Sequence, residues 1–66
     1  MTLDNVVGRV KAIEASSADY EIAHSLEDDL MREFIAHVQR VGDPLLSAMA
    51  EKILAVGDID FPRYCA

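Results

Sequence analysis

Tyr20–Val41 reads YEIAHSLEDDLMREFIAHVQRV, and this stretch decides the fold. Ile22, Leu26, Leu30, Phe34, Val38 and Val41 recur at spacings of three and four, with no proline or glycine between them. That is the period of an amphipathic helix, placed at about residues 18–41. Wound at about 100° per residue from Ile22, the apolar side chains fill an arc of roughly 200°, about twice one core-facing stripe. A helix that wide needs cover on two sides. Helices before and after it can supply one; the tail, a second copy or another protein must supply the other.

Polar groups inside that arc are the candidates for function. Glu27 winds to about 140°, between Phe34 and the row of Tyr20 and Val38, and His24 to about 200°. A carboxylate in apolar surroundings finds a partner or has its pKa raised, so Glu27 is the residue to examine. Tyr20, His24, Glu27, Met31, Phe34, Ile35 and Val38 form the candidate ligand or interface surface. Asp28, Asp29 and Glu33 wind away from Glu27 and read as a solvated face. Ser25 followed by Glu27 and Asp28 resembles an internal helix start, but the apolar spacing runs through His24–Ser25 and favours one continuous helix.

The flanking segments follow the same logic. Leu3, Val6, Val7, Val10 and Ile13 lie on one helical face, with Thr2 or Asp4 as the cap, giving a first helix at about 3–15. Ser16 with Asp19 three residues on resembles a capping box. Gly42-Asp43-Pro44 is the clearest punctuation. Gly42 is expected as a left-handed helix terminator, Asp43 as a cap, and Pro44 at a first position where its missing N–H costs nothing. The third helix is expected at about 44–56, closed by Gly57 and packed as a hairpin on the second. Asp60 can cap one last turn, Phe61 to Tyr64, with Ile59, Phe61 and Tyr64 anchoring the tail. The fold class is therefore all-α: a single small three-helix domain over residues 1–66, with a dominant central helix and a short C-terminal helical turn.

Composition narrows the function. Sixty-six residues hold a small core, yet 52% of them are hydrophobic. So small a body cannot hide that much apolar material, and a homodimer or larger homo-oligomer is expected. The net charge is −6. Arg9, Lys11, Arg32, Arg40, Lys52 and Arg63 are scattered, which argues against direct nucleic-acid binding. Cys65 is the single cysteine, so no internal disulfide forms. The first residues lack the basic start and long apolar run of a signal peptide, and no membrane span is expected. A cytoplasmic protein is expected.

Catalytic motifs are absent from the sequence. Cys65 has no evident activating neighbour, the serines lack a nucleophile elbow, and the three glycines are isolated. Glu21-x-x-His24 has the i,i+3 spacing of di-iron bundles, but those sites need a second such motif and two further glutamates. No catalytic residue, metal or cofactor is assigned.

The tail Ile59-Asp60-Phe61-Pro62-Arg63-Tyr64-Cys65-Ala66, with Ala23-His24-Ser25-Leu26-Glu27-Asp28, resembles short acidic helical proteins encoded in bacteriophage and prophage genomes. Their ends commonly read I-D-F-x-R-W-C-A; here Tyr64 stands in place of Trp and Pro62 in place of a small residue. The resemblance implies phage or bacterial cytoplasm and a small accessory role, and it carries over no catalytic residue. The expected function is a non-enzymatic acidic interaction protein, an accessory factor that binds and modulates a host protein, including a host defence component. The alternatives are an oligomeric nucleotide-binding or sequestering protein, with a site around Tyr20, His24 and Glu27, and a metal-dependent helical hydrolase.

Overall fold

The computed structural model describes residues 1–62. Among them are three α-helices and no strand: α1 (Leu3–Ala15), α2 (Tyr20–Val41) and α3 (Pro44–Leu54), followed by a 3-10 turn at Ala55–Asp58. The all-α, three-helix reading holds, with boundaries shifted by two residues at the ends that sequence pattern fixes least.

Each helix starts where a short acceptor side chain can satisfy a free N–H of the first turn. Thr2 Oγ1 accepts from Asn5 N at 3.1 Å and caps α1. Asp43 Oδ1 accepts from Leu46 N at 2.8 Å and caps α3, with Pro44 just inside. Asp19 Oδ1 accepts from Ile22 N at 3.3 Å, so Asp19 itself is the cap of α2 rather than the third residue of a box begun by Ser16. Ser16 serves a tighter purpose: its carbonyl accepts from Asp19 N at 2.9 Å and closes the turn between α1 and α2. Of the three caps, Asp43 makes the shortest bond. Asp43→Ala is expected to cost about 1 kcal/mol of stability, read as a lower urea midpoint at unchanged slope.

Gly42 departs from its expected role. No glycine in the described chain has positive φ. Gly42 N instead donates to Val38 O at 2.7 Å, the continuation of the helical ladder by one residue. Glycine is required here for space: a Cβ on Gly42 would lie 2.5 Å from that same carbonyl oxygen and 3.1 Å from Leu46 Cβ. The close approach lets the chain leave α2 and enter α3 within two residues.

A 3-10 turn follows α3, ahead of the turn expected at Phe61 to Tyr64. The helical path tightens into 3-10 geometry at Ala55–Asp58, with Gly57 inside it, and Ile59 N donates to Val56 O at 3.0 Å to end it. Phe61 and Pro62 are not helical. The rest of the turn expected there, with the anchor Tyr64, lies outside the described residues. The other two anchors, Ile59 and Phe61, are about half exposed.

The described residues divide inside α2 into two compact units, 1–31 and 32–62. In the first, Val6 and Ile13 of α1 and Ala23, Leu26 and Leu30 of α2 are half-buried. In the second, Ile35, Val38 and Gln39 of α2 are half-buried, with Ser47 and Leu54 of α3, and Ala50 is 4% exposed. His24 in the first half of α2 and Ala36 and His37 in the second are half-buried as well.

Candidate functional site

The second unit contains an open groove of ≈ 470 Å³ lined by Phe34, Ile35 and Val38 of α2 and by Leu46, Met49, Ala50 and Ile53 of α3. Every lining residue is apolar. Two local features shape it. The Gly42–Asp43 joint turns the chain back so that α3 lies over the C-terminal half of α2. Ser47 Oγ then donates to Gln39 O at 2.6 Å, part-buried, and ties the two helices together next to the joint. That carbonyl belongs to the last turn of α2, where no intrahelical donor is available.

Only one edge of α3 is covered. Ala50 is buried and Ser47 and Leu54 are half-buried, and these three wind to about 240–300° when Pro44 is set at zero. Leu45, Leu46, Met49, Ile53 and Val56 wind to about 100–200° and are all exposed. Across the groove Phe34 is 53% exposed and Ile53 54%. The apolar face of α3 beside the groove is thus left uncovered.

The residues singled out from sequence are therefore divided. Phe34, Ile35 and Val38 line the groove. Tyr20, His24, Glu27 and Met31 belong to the first unit, where Tyr20 and Met31 are exposed. Glu27 is not a buried carboxylate: its side chain is 51% exposed. Leu46, Met49, Ala50 and Ile53 were not assigned to a site from sequence. The signal was present in α3, where Leu45, Leu46, Met49, Ala50, Ile53 and Leu54 together wind over about 180°, more than one partner helix covers.

A second constellation lies on the first unit. His24 Nδ1 is 3.8 Å from Glu27 Oε1, and His24 Nε2 is 3.5 Å from Asp28 Oδ2. The three side chains bring ligand-capable atoms within 4.8 Å of one another. From sequence Glu27 and Asp28 were separated by winding, and His24 was paired with Glu21. The structure joins Glu27 and Asp28 through His24. The imidazole sits one turn earlier at an azimuth between them and turns one nitrogen toward each. The i+3 and i+4 spacings from His24 were the legible signal. An exposed arrangement of this kind contributes at most about 1 kcal/mol to stability. As a cation site it offers three donors from one helix with two of the residues exposed, an incomplete shell for a tightly held ion.

No helix among the described residues is long and apolar enough to cross a membrane. No protein-family model matches the chain, and neither a curated protein nor a solved structure matches it.

Proposed function

We propose that this chain is a small acidic interaction protein without catalytic activity of its own, acting by protein–protein association through the groove of α2 and α3. The observation that carries this reading is the lining of that groove: seven apolar side chains and no charged one. Depletion of charge at the centre of a patch, with aromatic and methionine side chains present, is the compositional mark of a protein interface. A nucleotide site would need convergent polar groups to hold phosphates, and this groove has none in its lining. The resemblance of the tail to phage-encoded proteins supports a role as an accessory factor in bacterial cytoplasm, modulating a host protein.

The test is a photo-crosslinking amino acid placed at position 49 in the protein expressed in bacterial cells, with position 11 on α1 as the control. Protein adducts at position 49, absent at position 11, are expected. A chain that forms no protein adduct from position 49 does not use this groove for association, and the proposal fails.

A further inference from the structure

We propose that Met49 is an oxidation site that switches the groove off: its thioether, converted to the sulfoxide, leaves the α2–α3 half folded and blocks association through this surface. This rests on the reading of the groove as a protein-association surface and names how that surface is regulated.

The chain has three methionines, Met1, Met31 and Met49, and of these Met49 lines the groove. It is 46% exposed, so a small oxidant approaches its side chain while the helices stay folded. A hydroperoxide is the class of oxidant required. Its O–O bond breaks, one oxygen bonds to the methionine sulfur, and the other leaves as water. The sulfur is oxidised by two electrons and the peroxide is reduced by two. Methionine sulfoxide reductases, one for each sulfoxide epimer, reverse the step.

The sulfoxide has opposite consequences for folding and for association. Met49 winds to about 140° on α3, off the edge at about 240–300° where Ser47, Ala50 and Leu54 are covered. In the free chain the new oxygen therefore points into water, which satisfies it, and the contact of α3 with α2 at Ala50 is untouched. Once a partner covers the groove, the same oxygen is cut off from water. The lining side chains carry no N–H or O–H donor, and the backbone N–H groups in the interior of α3 are engaged within the helix. An apolar partner surface supplies no donor either. The penalty of a buried, unpaired acceptor thus falls on the associated state alone.

Met31 provides the contrast. It is more exposed than Met49, at 60%, yet it does not line the groove. Its oxidation should leave association through the groove unchanged.

The test uses the purified full chain with a photo-crosslinking amino acid at position 53 of the groove. The protein is treated with dilute hydrogen peroxide, freed of it, and illuminated in bacterial lysate. Mass mapping of peptides should show one added oxygen at Met49 and at Met31, with the helical far-ultraviolet circular dichroism kept. Protein adducts from position 53 should fall by about tenfold or more, and treatment with both reductases should restore them. Met49→Leu, which conserves volume, should keep its adducts through the peroxide treatment, whereas Met31→Leu should lose them as the wild type does. Cys65 is present in every variant, so a loss that passes through its thiol appears in Met49→Leu as well and overturns the proposal. Undiminished adducts from a chain oxidised at Met49 overturn it too, as does a helical signal lost on oxidation or a Met49 left intact by peroxide that converts Met31. If the untreated chain forms no protein adduct from position 53, the association reading falls and the switch falls with it.

Discussion

Ala50→Asp is expected to abolish cooperative folding of the α2–α3 half at neutral pH. Ala50 is the one buried position among the described residues, at 4% exposed, and it sits where α3 meets α2. A carboxylate placed there loses its hydration and gains no cationic partner, a cost of about 3 kcal/mol or more. A chain of this length has about 3–5 kcal/mol of stability to lose. The penalty depends on pH with a definite sign. Burial raises the folded-state pKa of the introduced acid above its unfolded value of about 3.9. The penalty is therefore absent below about pH 4 and grows as the pH rises above it. Ala50→Asn has the same size and no charge. The two variants should unfold alike in acid and diverge toward neutrality. Equal melting temperatures for both at pH 7 would show that position 50 is not buried in solution.

Gly42→Ala is expected to destabilise the protein by about 1–3 kcal/mol, the range for forcing an atom into filled space. The added Cβ would lie 2.5 Å from Val38 O, a backbone atom held by the helix and unable to swing aside. Either the last turn of α2 opens or α3 moves off it, and in both cases the Ser47–Gln39 bond and the groove beside it are disturbed. Gly8→Ala makes the contrast. Gly8 lies inside α1 with nothing within 4 Å of where its Cβ would stand, so alanine should stabilise by about 0.5–1 kcal/mol through its better helix propensity. Opposite signs at the two glycines, read from thermal melts, are the expected result. A stabilising Gly42→Ala would contradict the close approach described here.

These two positions also show where sequence reasoning reached its limit. The glycine at 42 was legible as a helix stop, but its mechanism was not. A terminator with positive φ and one that merely needs room look identical in sequence. They separate only when Leu46 is seen folded back to 3.1 Å from the missing Cβ. Glu27 is the parallel case. Its azimuth on the helix was correct, yet azimuth gives burial only if a neighbour occupies that side, and nothing in the sequence reports where α1 lies. The trio of His24, Glu27 and Asp28 was missed because Asp28 was compared with Glu27 and not with the imidazole one turn earlier.

Local chemistry sufficed for the helices. Their number, order and extents, two of the three caps and the joint at Gly42-Asp43-Pro44 follow from 3.6-residue periodicity and from acceptor side chains beside free N–H groups. Those interactions act within about four residues. The wide apolar arc of Tyr20–Val41 was likewise visible in the sequence. Only the tertiary structure showed which of its side chains are covered: Ala23, Leu26 and Leu30 in the first half of α2 and Ile35 and Val38 in the second are half-buried, while Tyr20, Ile22, Met31, Phe34 and Val41 are exposed. It also showed that α3 leaves Leu46, Met49 and Ile53 uncovered beside Phe34. Which stripe is covered depends on contacts between residues far apart in the chain, and no periodicity within a single segment encodes them.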